Sequence, residues 1–320
     1  MNFFRIVIIA LAITVFVVPS ANATTVISPV IEVTVDPGTS QQGVVKVYNE
    51  TDHDLNLVAS IDAVRGSDER GKMMFDDERP SFLSWISLER TSLTLKPKQA
   101  AIVPLTVAVP GGATPGGYYA AVFWQEVSSA GQGDKNVGIQ GRVGTLIFLT
   151  VTGDITEQAS IDSFGIDPSR AVVFGLPITL SSRITNRGNV HLQPTGKIIL
   201  TNWLGKKTEL AVNAERHAII PGSTRRFDVV WPNMQTAGSW PLQQWQALVV
   251  EANNLLIGSY RAELTLEYGK DAPHTVTAST SVIIIPIHLI GAAVVAIILL
   301  CIGWRINRRV TALKRRNHSV

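Results

Sequence analysis

Cysteine is almost missing from this sequence of 320 residues: the single one, Cys301, falls inside a long apolar run. Disulfides within the chain are excluded, and residues 24–280 offer no thiol nucleophile. An exported chain of this size without disulfides points to a bacterial envelope, and its stability must come from packed cores. Charge is missing from Val282–Trp304, 23 residues without Asp, Glu, Lys or Arg. At about 1.5 Å of rise per residue, such a helix crosses a hydrocarbon layer of about 30 Å. Acid is missing from the tail, which carries Arg305, Arg308, Arg309, Lys314, Arg315 and Arg316. Basic flanks stay cytoplasmic. The sequence therefore predicts a transmembrane helix over 282–304, a basic cytoplasmic tail over 305–320, and an extracellular location for what precedes them: a single-pass, type I protein of the cell membrane.

The N-terminus agrees. Met1–Arg5 holds one charge, Ile6–Val18 is apolar, and Ala21-Asn22-Ala23 has the small-x-small pattern of a signal-peptidase site. Residues 1–23 read as a signal peptide, with an uncleaved N-terminal anchor as the alternative. The formal charge of +3 is set by the ends. Arg5 and the six tail residues account for 7 of the 28 Lys and Arg, so residues 24–280 hold 21 basic against 25 acidic side chains. That balance gives no footprint for nucleic acid, and the tail is explained by topology and anionic inner-leaflet lipid.

Between 24 and 280 no sustained 3.6-residue periodicity appears. Short alternating runs such as Ile31–Val35, Gly43–Tyr48, Leu55–Ile61 and Ala101–Val109 are separated by turn residues such as Asp36-Pro37-Gly38. Tyr118–Val127 and Arg142–Thr152 follow, around a loop at Ser128–Asn136. This texture predicts an all-β fold: two tandem Ig-like β-sandwich domains over 24–155 and 156–270, then a polar stalk over 271–281. The second domain repeats landmarks of the first. Thr185-Asn186 ends a strand as Asn49 does, Ile219-Ile220-Pro221-Gly222 matches Leu95-Lys96-Pro97-Lys98, and Ile257–Glu267 matches Pro115–Gln125. The spacings differ, so this is a tandem of similar modules and not a strict repeat.

Catalytic patterns are scarce. His53, His191, His217 and His274 fall in separate segments, without a paired zinc motif, and no Gly-x-Ser-x-Gly elbow occurs. The acids of Arg65–Arg79 do not match a calcium loop and are interleaved with Arg and Lys. The expectation is a protein that is not an enzyme, with no metal and no cofactor. The best ligand candidates are Trp231, Trp240 and Trp245, close together beside Pro232 and Pro241. Aromatic platforms on loops stack on sugars or anchor partners, and core packing is the alternative for all three.

The series Ser28-Pro29, Asp36-Pro37-Gly38, Val47-Tyr48-Asn49, Trp85, Leu93-Thr94-Leu95-Lys96-Pro97, Pro115-Gly116-Gly117-Tyr118 and Arg142-Val143-Gly144-Thr145 resembles the peptidoglycan-binding-type N-terminal domain of the WxL-interacting surface proteins. The resemblance covers residues 25–155; residues 156–280 share only the architecture. It implies a non-catalytic, adhesive surface protein that binds cell-wall polymer (peptidoglycan), an exported surface protein, or both. The second domain departs from the family pattern at Asn186-Arg187-Gly188-Asn189-Val190-His191. An envelope assembly factor that pairs with an exported partner by β-augmentation is the alternative function.

Overall fold

Alternation of inward and outward side chains sets the strands in both halves of the chain, as the computed structural model shows. The residues described are 24–26, 29–76, 79–127, 142–232, 240–254, 258–270 and 272–317. The expected signal peptide, the Ser128–Asn136 loop, and Asp77 and Glu78 of the charged insertion lie outside them. Two compact units form. One takes residues up to Ala63, Asp76–Thr114 and Tyr118–Thr152; the other takes Val64–Phe75, Pro115–Gly117 and everything from Gly153 on.

In the first unit one sheet orders β1 (Thr24–Val26), β3 (Ser40–Asn49), β8 (Ala100–Ala108) and β6 (Ile86–Leu88). The other orders β2 (Val30–Val35), β10 (Arg142–Val151), β9 (Gly116–Glu126) and β4 (Leu55–Ser67). β7 (Ser92–Leu95) pairs the start of β4, whereas the end of β4, from Val64, belongs with β5 (Met73–Phe75), its partner there, to the second unit. Val45 and Val47 of β3 and Val103, Leu105 and Val107 of β8 turn inward, against Leu55, Leu57, Trp124, Ile147 and Leu149. Each such side chain contributes about 1.5–3 kcal/mol through removal from water. β2 runs parallel to β10, pairing Val30–Val35 with Leu146–Val151. The Asp36-Pro37-Gly38 turn closes because Gly38 holds φ at +81°, which a side chain resists.

The second unit orders β11 (Ala159–Asp167), β13 (Ile178–Asn186) and β16 (Thr224–Trp231) in one sheet. Its other sheet orders β12 (Val172–Phe174), β18 (His274–Ile285), β17 (Gly258–Tyr268), β14 (Thr195–Asn202) and β15 (Lys207–Val212). Leu180, Ile184, Ile198, Leu200, Ala262, Leu264, Val282 and Ile284 form its core. As in the first unit, an early strand runs parallel to the last one: β12 pairs Val172–Phe174 with Ile283–Ile285.

Each unit is tied by one fully buried asparagine at a strand end. Asn49 Nδ2 donates to the carbonyls of His53, Leu95 and Lys96 at 2.9, 3.0 and 3.1 Å, while its Oδ1 accepts from the Thr51 amide and hydroxyl. Asn186 Nδ2 donates to the carbonyls of Val190 and Ile219, both at 2.8 Å, and its Oδ1 accepts from the Gly188 amide at 2.9 Å. These satisfy backbone groups that the strands leave over at the corner.

Among the described residues two α-helices are present: α1 (Trp240–Asn254) and α2 (Ile287–Asn317). Ile287–Arg309 of α2, 23 residues whose most apolar stretch has mean hydropathy 2.5, is long and apolar enough to cross a membrane, and none of that stretch is buried. The sandwich architecture and one apolar C-terminal helix match the expectation. Three points do not. A helix, α1, lies where no helical period was expected. The polar stretch expected as a stalk over 271–281 is largely the first part of β18, hydrogen-bonded to β17. The expected span starts too early, because Val282 and Ile284 are core residues of β18 and Pro286 separates the strand from α2.

Candidate functional site

Trp231 and Trp245 do not share one platform. Trp231 ends β16 inside the core, 5% exposed, with its ring 5.6 Å from that of Tyr260. This corrects its reading as a ligand platform: on β16 its position turns inward with Phe227. Trp240 opens α1. Trp245, on the same helix, is 62% exposed. Burial raises the Tyr260 phenol above its usual pKa, consistent with a packed cluster.

Among the described residues no group of three or more His, Cys, Asp or Glu comes together to hold a metal. The acids of the charged insertion do structural work within the second unit. The Asp68 carboxylate accepts from the Arg70 and Lys72 amides at 2.9 and 2.8 Å, closing the turn after β4. Glu69 pairs with Arg183 at 3.0 Å. His191 is half-buried next to the bridge between Leu192 and Ile219.

A second feature is one sheet edge of β18, along most of which no strand among the described residues is hydrogen-bonded, although β11 lies close beside it. β18 is twelve residues long, and β17 pairs it from His274 to Ile284 without a register shift. On its other side β12 covers only Ile283–Ile285. The Ile283 amide donates to Ala171 at 2.9 Å, so odd-numbered residues of β18 turn their backbone groups outward from β17. Thr275, Thr277, Ser279 and Ser281 therefore present N–H and C=O along an edge that, among the described residues, no strand pairs. Their side chains are exposed as well.

Sheet edges in natural proteins are usually guarded by charge, proline, bulges or cover. Other edges of this unit follow that rule. β16 carries Arg225, Arg226 and Asp228, and the Arg226 amide donates outward to the Glu69 carbonyl at 2.7 Å. Arg226 is ion-paired with Asp228 and Asp167, and hydrogen bonds first to Asp228 and then to Asp167 raise its pKa further. Burial lowers the pKa of Arg225. β15 carries Lys207 and Glu209, the latter 3.1 Å from Lys197. From Thr275 to Ile285 β18 has no charge, no proline and no bulge. Sequence reasoning missed this edge because its Thr and Ser residues resemble a linker.

The second element missed is the junction with α2. The Glu251 carboxylate, fully buried on α1, receives the Leu289 amide at 3.0 Å and stands 2.7 Å from His288 Nδ1. A carboxylate here satisfies a free N–H of the first turn of α2 and complements the positive end of its dipole. α1 is thereby fixed against the start of α2.

No protein-family model matches the chain, and no curated protein matches it. Solved structures are similar at low identity. A class 5 fimbriae chaperone, CfaA, has TM-score 0.41 and 11% identity, over 80% of this chain and 98% of its own. The Escherichia coli chaperone DraB has TM-score 0.36 and 12% identity, over 80% and 96%. The Pseudomonas aeruginosa chaperone CupB2 has TM-score 0.34 and 12% identity, over 80% and 98%. Likeness at this level does not carry function.

Proposed function

We propose that this chain is a non-catalytic, membrane-held protein of a bacterial surface that takes an extended segment of an exported protein partner onto β18. The observation that carries the reading is the open edge of Thr275–Ser281, with its outward backbone groups and no guarding charge. Adding a strand there satisfies those groups and supplies main-chain affinity; exposed side chains on either side set selectivity. The apolar stretch Ile287–Arg309 supports a single crossing. Arg305, Arg308 and Arg309 support a C-terminal end on the inside, with both units outside. Tethering raises the effective concentration of even a weak binder at the surface. Binding of peptidoglycan, which the family resemblance implies, is the competing outcome.

In-cell photo-cross-linking tests this. A cross-linking amino acid at Thr277 or Ser279 of the full chain is expected to give a discrete protein adduct, and one at Thr106 of the first unit none. Absence of an adduct from β18, together with retention of the chain on purified cell wall, replaces this reading with polymer binding.

A further inference from the structure

One end of the second unit is apolar and exposed, and it is the end at which β18 enters α2. Register places it. Asn202 of β14 pairs with Tyr260, which pairs with Val282. The turn that follows, Trp203-Leu204-Gly205-Lys206, therefore lies level with the last residues of β18. Trp203 lies over Gly258, where an added Cβ would come within 2.6 Å of its ring, and Gly258 pairs with Ile284. Phe174 of β12 pairs with Ile285. On α1, Leu242, Trp245 and Val249 share a face at spacings of three and four residues. All six apolar side chains are between 37% and 64% exposed.

Depth decides what covers them. Only Pro286 separates β18 from α2, and the apolar stretch begins at Ile287. The polar layer on each side of a bilayer is about 5–7 Å thick, so residues level with Ile284 and Ile285 fall within it once α2 spans. α1 reaches further. Gln244, Trp245 and Leu248 line an open surface groove of about 450 Å³ together with Ile287, His288, Gly291 and Ala292 of α2. Gly291 is one turn into α2, about 6 Å beyond its start. The buried Glu251 carboxylate survives at this depth because the Leu289 amide and His288 satisfy it. Lys206 and Lys207, both exposed, flank Trp203 and Leu204 as cations flank aromatic residues at anionic headgroups.

We infer that this end of the second unit is seated in the bilayer that α2 crosses, with Phe174 and the Trp203-Leu204 turn in the outer headgroup layer and the outward face of α1 running from that layer into the upper acyl chains. The inference rests on the reading of α2 as a span. Its consequence is that the β18 edge is held close to the lipid surface by three elements, not by a flexible stem.

The test uses the full chain with Cys301→Ala and one new cysteine at a time, at Leu204, Val249, Ile298 or Ile102, carrying a fluorescent nitrobenzoxadiazole label. The protein is reconstituted in phosphatidylcholine vesicles with a third phosphatidylglycerol. Labels at 204 and 249 are expected to be quenched at least threefold more by shallow spin-labelled lipid than the label at 102, and the label at 298 most by deep spin-labelled lipid. Quenching at 298 with none at 204 and 249 overturns the seating and leaves the span standing. No quenching at 298, with release of the chain by alkaline carbonate, overturns the span and the seating with it.

Discussion

The two units close the same kind of sheet to different degrees. In the first, β2 lies parallel to β10 and pairs six of its ten residues. In the second, β12 lies parallel to β18 and pairs three of its twelve. Both units keep the same corner, a buried Asn that gathers a strand end and a distant turn. Their last strand and its neighbour differ more than their frame. A common frame with one closed and one open edge is the reason the proposed binding is assigned to β18, because an unpaired edge in a folded protein is a surface that natural sequences otherwise block.

Removing the corners gives the largest effects. Asn49→Ala frees three carbonyls and two Thr51 donors inside the first unit. A loss of about 3–4 kcal/mol is expected in denaturation of the full chain in detergent. Asn186→Ala frees fewer groups, two carbonyls and one amide, and a loss of about 2–3 kcal/mol is expected. Equal losses would show that the two corners bear different loads than their bonds indicate.

Proline separates the two edges. Thr150→Pro removes an amide that has the parity of Leu146 and Thr152, both of which donate to the β2 side, so a loss of about 2–3 kcal/mol is expected. Thr277→Pro removes an outward amide of β18, and thermal unfolding is expected to change by less than about 0.5 kcal/mol. The cross-linked adduct at Ser279 is expected to vanish in the same variant. A stability loss at Thr277 matching that at Thr150 would mean that the β18 edge is already paired.

A smaller effect sharpens the frame itself. Asp162 of β11 is held below the usual carboxylate pKa, chiefly by the Thr185 hydroxyl of β13 and then by Ser160 and Arg187. A depressed carboxylate contributes stability above its unfolded pKa, and that contribution is lost as pH falls through its folded value. Thr185→Val is expected to move the Asp162 titration toward the ordinary range, followed by carboxyl-carbon NMR, with little change near neutral pH.

Much of the frame is legible in the sequence, for physical reasons. GVVKVY alternates because Val45 and Val47 face a core, and the matching of Asn49 with Asn186 follows from turns that both units need. The site is not legible. Thr275, Thr277, Ser279 and Ser281 carry no apolar signal, and their inward neighbours Val276, Ala278 and Thr280 are small. Pairing with β17 makes this stretch a strand, which is a tertiary effect. α1 hides its period because Leu242, Trp245 and Val249 are apolar on the outward face while Ala247 is buried on the other. Trp231 and Trp245 look alike in a window of 15 residues, yet a strand turns one inward and a helix turns the other outward.

Amide hydrogen exchange on the full chain tests the unequal closure most directly. Thr275, Thr277, Ser279 and Ser281 are expected to exchange at least tenfold faster than Val276, Ala278 and Thr280, whereas Leu146, Phe148 and Thr150 of β10 are expected to be as slow as their own neighbours. Protection of the odd-numbered amides of β18 equal to that of Leu146–Thr150 would contradict an open edge, and with it the proposed mode of binding.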